Sequence, residues 1–305
     1  MLTQLQIDQY HRDGFLILRG MFAGRELQEL RAAAQRVQDE GAAKAGKDHL
    51  YSDVPGKGKV YFRSEKMWDR DPIFQAVTVK PELLECIGQC TGHPFLPVND
   101  SFVCKLPGGN VPIPWHQDPP YGTMKETFEV PNFDVDIYLD DSTIENGCVW
   151  GIPGHHLVGH VDMKGFSEDE LFSKCGAVPM LMAPGDVLFH SLSAPHGSRG
   201  NLTQTIRRIF YIHYMAKEVL EHCYASWANH KRGYTQAGFD FTKEMLAART
   251  KLGFDSIDRA QIKLTDEGFV FTGKPGTPPQ YWGELIAKMS ADELARKRGL
   301  APALV

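Results

Sequence analysis

"APGDVLFHSLSAPHGSRGNLTQTIRRIFYIHYM", residues 183–215, alternates turn residues with short apolar runs. It opens on a PGD turn, enters the short strand VLFH, bends through SAPHGS around His196 and continues as the long strand IRRIFYIHYM. Working upstream, the same texture of short apolar or alternating runs broken by Gly, Pro and Asn begins near residue 98, in SFVCKLP, FDVDIYLDD and CVWGIPG. That is the pattern of a β-sandwich or β-barrel. Before it, LTQLQIDQYHRD reads as a short helix and GFLILRG as a strand. A longer helix starts near Gly24, with Leu27, Leu30 and Ala34 at helical spacing, and PELLECIGQCTG reads as another helix. Residues 41–66, rich in glycine and carrying Lys44, Lys47, Lys57, Lys59, Arg63 and Lys66, read as a mobile loop able to close over a pocket. Beyond residue 218 helical patterns return, separated by the loop TGKPGTPPQ. The expectation is one domain over 1–305: helical support and lid loop in 1–97, β core in 98–217, helical extension in 218–305.

Composition narrows the function classes. The 305 residues are 42% apolar and 23% charged with a net charge of −5, enough to bury a substantial core and without the basic excess that a nucleic-acid surface needs. The N-terminus lacks a cationic segment followed by an apolar run, and nowhere do eighteen consecutive apolar residues occur, so no membrane span and a cytoplasmic setting are expected. Six scattered cysteines read as reduced thiols, with Cys86 and Cys90 stacked on one helix face.

The chemistry starts at PWHQDPP, residues 114–120. In a strand, residues two apart share a face with Cα atoms roughly 6.5 Å apart, so His116 and Asp118 can reach one point while Gln117 faces away. Alone this pair is weak; His196 on a distant strand supplies the missing third donor. Two imidazoles and a carboxylate leave three positions open on an octahedral ion, as in non-haem Fe(II) oxygenases, but zinc enzymes use the same donors, so ligand count leaves the metal open.

The pair WHQD and HGSRGNLTQTIRR, with LDDSTIENGCVWGIPGHH between them and DGFLILRG near the start, resembles the phytanoyl-CoA dioxygenase family of Fe(II)/2-oxoglutarate oxygenases over residues 1 to about 217. The resemblance implies a mainly β fold with flanking helices, built on a double-stranded β-helix (jelly-roll, cupin-like) core. It implies His116, Asp118 and His196 as iron ligands and Arg207, eleven residues after His196, as the partner of the distal 2-oxoglutarate carboxylate, assisted by Ser198. Fe(II), 2-oxoglutarate and O2 are then the cofactors, and hydroxylation of a small molecule is the expected reaction, with desaturation, ring formation or endoperoxidation open to the same site. The carboxylate Asp118 argues against halogenation.

Other residues compete for roles. His190 is a second candidate for the third ligand, but lacks the following GS and the spaced arginine, and reads as a core or supporting residue. His155 and His156 read as turn caps, and Trp115 and Trp150 as core packing. Lys105 is a candidate contact to 2-oxoglutarate, and Gln117, Tyr121 and Tyr138 are pocket candidates by proximity. Because strand side chains alternate, Arg207 entering the barrel brings Ile209, Tyr211 and His213 with it and turns Arg208, Phe210, Ile212 and Tyr214 outward. A CoA thioester would want more basic groups than the chain offers, so a specialised metabolite, amino-acid derivative or terpenoid is the expected substrate. The C-terminal extension is a candidate surface for a homodimer. A non-oxidative metal protein, a cupin-like isomerase or sugar-binding module, is the alternative; it would leave Arg207 and Ser198 without a purpose.

Overall fold

The computed structural model describes residues 1–118, 130–223 (without the side chains of 221–223), 233–274, 282 and 286–300. The first helix, α1 (Gln4–Asp13), starts at Thr3, whose hydroxyl and the Gln6 side chain cap each other's backbone, and stops at Gly14. Then come β1 (Phe15–Leu18), α2 (Gly24–Ala42), β2 (His49–Val54) and β3 (Gly58–Glu65). Prolines at the first helical position open α3 (Pro72–Thr78) and α4 (Pro81–Thr91), where the missing N–H costs nothing. The β core follows: β4 (Leu96–Lys105), β5 (Ile113–His116), β6 (Phe133–Tyr138), β7 (Val149–Gly151), β8 (Val178–Pro179), β9 (Val187–His190), β10 (His196–Ser198) and β11 (Arg207–Met215).

Two antiparallel sheets face each other. The larger has the order β1-β9-β6-β11-β4-β3-β2 and the smaller β5-β10-β7-β8. Together they form the double-stranded β-helix. Alternation divides the large sheet cleanly. Leu16, Val135, Ile137, Phe189, Phe210, Ile212 and Tyr214 pack outward into the main core with α1–α4. Phe15, Tyr138, Leu188 and Ile209 point inward, toward Val149, Met180 and Met182 of the other wall.

The stretch 41–66 is not the expected loop. Its second half is the β2–β3 hairpin, paired through β3 onto β4 at the sheet's edge. Tyr61 is 2% exposed against α2, and Tyr51 donates from its hydroxyl to the Gly41 carbonyl at 2.9 Å, so two aromatic residues tie the hairpin down. The exposed lysines that suggest a loop are suited to a sheet edge, where charge discourages pairing with other chains. The N-terminal third therefore contributes three strands to the large sheet as well as helices.

The region after residue 218 also departs from a purely helical extension. The helix Gln236–Lys251 packs against α3, and the hairpin β12 (Ile262–Thr265) and β13 (Gly268–Phe271) bridges through Phe269 to Phe95 and covers α4. Arg249, 2% exposed, pairs with Glu26 of α2 at 2.6 Å, and Glu26 is also held by Lys80 at 2.8 Å. The last helix, Ala291–Arg298, reaches the other side, where Arg298 donates to the Val158 carbonyl at 2.8 Å and Leu300 joins a cluster with Trp115 and Phe172. No helix among the described residues is long and apolar enough to cross a membrane. Cys86, Cys90, Cys104, Cys148 and Cys175 are free, buried thiols.

Candidate metal and cosubstrate site

β5 ends at His116, and β10 pairs with it so that His196 stands directly opposite. Gly197 suits this crossing, since a Cβ there would lie 3.0 Å from the Trp115 ring and press it aside by a few tenths of an ångström. The two imidazole rings are 4.2 Å apart. Asp118 follows, its backbone N–H held by the Leu192 carbonyl at 2.8 Å. Its carboxylate oxygens lie 3.6 Å from His116 Nε2 and 3.7 Å from His196 Nε2. Ligand atoms of the three residues thus fall within 4.8 Å of one another.

Each histidine is also oriented. His116 Nδ1 lies 2.8 Å from the Pro114 carbonyl and His196 Nδ1 lies 3.0 Å from the Ala194 carbonyl. A carbonyl only accepts, so both Nδ1 atoms carry the proton and both Nε2 lone pairs face the shared point. Burial, then the charge of His116, push His196 down to about 3, keeping it neutral. For His116 burial acts downward, but Asp118 overrides it and raises the imidazole above its ordinary value. Burial works against ionised Asp118, yet His196 and His116 together hold it well below the usual carboxylate range. Asp118 Oδ2 is buried with no hydrogen-bond donor. A divalent cation between the three supplies what that oxygen and the two Nε2 atoms lack.

Arg207 lies on the same inner face as Ile209 and is fully buried. Its Nε and Nη2 both donate to the Gly147 carbonyl, at 3.2 and 2.8 Å. Its Nη1 has no partner among the described residues. Gly147 holds φ +82°, and a Cβ there would sit 2.3 Å from the Arg199 carbonyl oxygen, so only glycine brings this carbonyl to the guanidinium. A buried guanidinium with a free arm fits a carboxylate partner. Ser198, two residues after His196 and therefore on the same strand face, is 2% exposed. Arg208 points the other way, making a two-pronged pair with Asp140 at 2.8 and 2.9 Å.

The remaining candidates sort differently. Lys105 lies beside Arg207 in register, but its ammonium donates to the carbonyls of Val111 and Arg199, and burial, then Arg207, push its pKa well below the lysine range. Gln117 points away from the site: its amide donates to the Gly159 and Ser193 carbonyls and its oxygen accepts from Val161 N–H. It staples neighbouring loops, which occupies both of its N–H donors. Tyr138 does line the interior, fully buried with an unpartnered hydroxyl. Tyr121 lies outside the described residues. His156 lies against Trp282 and contacts the His11 carbonyl, and Trp115 packs on Phe172.

Reasoning from motifs passed over Asp134 and Asp136. With His190 and His213 they line the interior next to the triad, and His190 lies 4.6 Å from His196, ring to ring. The available signal was FDVDIY itself, where two aspartates fall on one strand face.

The Phytanoyl-CoA dioxygenase (PhyH) family profile matches residues 10–209. Methylphosphonate hydroxylase of Gimesia maris is 29% identical over 218 residues, covering 70% of this chain and 81% of that protein. Among solved structures, the epimerase SnoN in complex with Fe3+, α-ketoglutarate and nogalamycin RO aligns with a TM-score of 0.57 at 20% identity, over 70% of this chain and 82% of the other. EctD from S. alaskensis with 2-oxoglutarate and 5-hydroxyectoine aligns with a TM-score of 0.57 at 18% identity, over 70% and 76%. The profile spans most of the strands that carry the triad and Arg207 as well as the fold around them. The chain belongs to the phytanoyl-CoA dioxygenase family of iron- and 2-oxoglutarate-dependent oxygenases.

Proposed function

We propose that this oxygenase hydroxylates a C–H bond of a small molecule, releasing succinate and CO2, with iron held by His116, Asp118 and His196 and 2-oxoglutarate oriented by Arg207 and Ser198. The observation that carries the reading is the buried Arg207, whose Nη1 lacks an acceptor on the inner face shared with the triad. When bound, iron and 2-oxoglutarate supply the oxidising power, one atom of O2 ending in succinate and one on the substrate carbon. The chain does the rest. The Pro114 and Ala194 carbonyls fix the imidazole tautomers, Asp118 offsets the metal's charge, and Arg207 holds the distal carboxylate in one orientation. Phe15, Leu188, Ile209 and Met180 line the space between the sheets and exclude water from it.

A non-oxidative metal protein would need the triad but not Arg207. Anaerobic addition of Fe(II) and then 2-oxoglutarate distinguishes the two, because chelation through the keto acid gives a visible charge-transfer band. Succinate release should then rise with a substrate. A protein that binds Fe(II) but gives neither band nor succinate would refute the proposal.

A further inference from the structure

Strand β6 places Asp134, Asp136 and Tyr138 on its inner face. The register continues this row across the sheet: Asp134 stands opposite both His213 and His190, and Asp136 opposite Tyr211 and Leu188. His190 Nε2 lies 3.5 Å from Asp134 Oδ2 and 3.4 Å from Asp136 Oδ1, and His213 Nε2 lies 3.4 Å from Asp134 Oδ2. Asp134 is 3% exposed and Asp136 fully buried. Ligand atoms of Asp118, Asp134 and His213 also lie within 4.8 Å of one another, so this wall abuts the metal site.

Two imidazoles meet part of this carboxylate edge: His190 Nε2 faces Asp134 Oδ2 and Asp136 Oδ1, and His213 Nε2 faces Asp134 Oδ2. Asp134 Oδ1 and Asp136 Oδ2 are buried with no hydrogen-bond partner among the described residues, and a carboxylate oxygen that carries no proton can only accept. The fully buried Tyr138 hydroxyl, on the same face, is also unpartnered. At Arg207 the shortage is of the opposite kind, a donor without an acceptor, which suits an anionic cosubstrate. The two ends of the interior therefore call for ligands of opposite character.

We propose that Asp134 and Asp136 recognise the substrate, and that it is a small organic ammonium compound, an amine or amino acid, whose N–H groups donate to these carboxylates. This names the substrate class for the hydroxylase reading above and rests on it. Because Asp134 adjoins Asp118, a nitrogen held there places its neighbouring C–H bonds before the metal, and the hydroxyl is introduced close to that nitrogen. The reaction balances as hydroxylation: the C–H becomes C–OH, the second oxygen atom of O2 enters succinate, and C1 of 2-oxoglutarate leaves as CO2. A second divalent cation also suits these oxygens, with His190 Nε2 as a further ligand atom, and the metal titration below separates it from an ammonium compound.

The test uses the full chain with Fe(II) and 2-oxoglutarate, reading succinate release with a panel of amino acids and small primary amines, their N-acetyl counterparts, and methylphosphonate as an anionic comparator. At least one ammonium compound should stimulate release, and N-acetylation should abolish the effect. Asp136→Asn and Asp134→Asn should each raise the KM for that compound about ten- to a hundredfold, the loss of a charge-assisted bond, and leave the KM for 2-oxoglutarate unchanged. Two variants guard against one that misfolds. Stimulation only by methylphosphonate or by neutral compounds overturns the proposal. So does Asp136→Asn acting on 2-oxoglutarate instead, or Mn(II) titration showing a second bound ion that Asp134→Asn removes. A charge-transfer band without stimulation by any ammonium compound sinks this proposal alone; absence of the band sinks the hydroxylase reading with it.

Discussion

Replacing Arg207 by glutamine separates cosubstrate binding from fold stability, because Arg208 beside it provides an internal control. The Arg207 guanidinium has five N–H donors, of which two are used on the Gly147 carbonyl, at 3.2 and 2.8 Å. The rest, Nη1 included, point where no protein acceptor lies. Glutamine is shorter, neutral and unable to grip a carboxylate with two parallel bonds. Losing a charge-assisted contact costs about 1.5–3 kcal/mol, or roughly ten- to a hundredfold in affinity. Burial pushes the effect to the upper end, since the cosubstrate carboxylate would be left uncompensated. Arg208→Gln removes the two-pronged pair with Asp140 on the opposite face, but Asp140 keeps Arg31 at 3.4 Å, so the expected cost is about 1–2 kcal/mol of stability and none of the 2-oxoglutarate affinity. The assay is anaerobic titration of 2-oxoglutarate into the Fe(II) protein, followed by the charge-transfer band, with urea unfolding of each variant alongside. Wild-type affinity in Arg207→Gln together with a weakened Arg208→Gln would show that the cosubstrate does not bind where the free arm points.

Four further outcomes follow from the geometry. His196→Ala should abolish Fe(II) binding in equilibrium dialysis, whereas His190→Ala, whose ring sits between Asp134 and Asp136, should retain most of it; the reverse order would move the third ligand to His190. Gly147→Ala should raise the KM for 2-oxoglutarate along with lowering stability, because the displaced carbonyl is the one that holds Arg207, and a purely structural loss with normal KM would contradict this. Arg249→Met leaves Glu26 with Lys80 alone and should lower unfolding stability by about 3 kcal/mol in urea; a change below about 1 kcal/mol would mean the pair contributes little. Burial pushes His156 down to about 3, below the roughly 6.5 of an unfolded histidine, so protons favour the unfolded chain. Stability from this group is full above pH about 6.5 and declines as pH falls toward 3, by about 1 kcal/mol between pH 7 and 5.5. His156→Gln should flatten that part of the profile, and an unchanged slope would exclude His156 as its source.

The pair His116 and Asp118 was legible from a two-residue strand repeat, whereas His196 and Arg207 were singled out by the family resemblance, and local geometry alone did not choose them. The inward set Arg207, Ile209, Tyr211 and the outward set Arg208, Phe210, Ile212 followed from alternation once one arginine was placed. FDVDIY was harder. A strand with polar residues at alternate positions ordinarily turns that face to water, and here it turns it to the interior beside His116, Asp118 and His196, a choice only the opposing sheet makes. Gln117 was a pocket candidate by proximity alone, although strand alternation already turns it away from His116 and Asp118, and its hydrogen bonds follow the alternation. The hairpin at 49–65 was hidden by its lysines, because solvation at a sheet edge and solvation of a loop leave the same composition.

The ion pair between Glu26 and Arg249 joins residues 223 positions apart. On a ribosome adding about 5–20 residues per second, α2 is complete about 10–40 s before Arg249 is made. During that interval the side of α3 that later meets the helix Gln236–Lys251 has nothing to cover it, and the Ala76 carbonyl waits for the same guanidinium. The order of synthesis therefore leaves the helical layer unsealed until last. A nascent chain halted before residue 249 should be open to proteases at α2 and α3, and chaperones that shield apolar helix faces have their longest opportunity there.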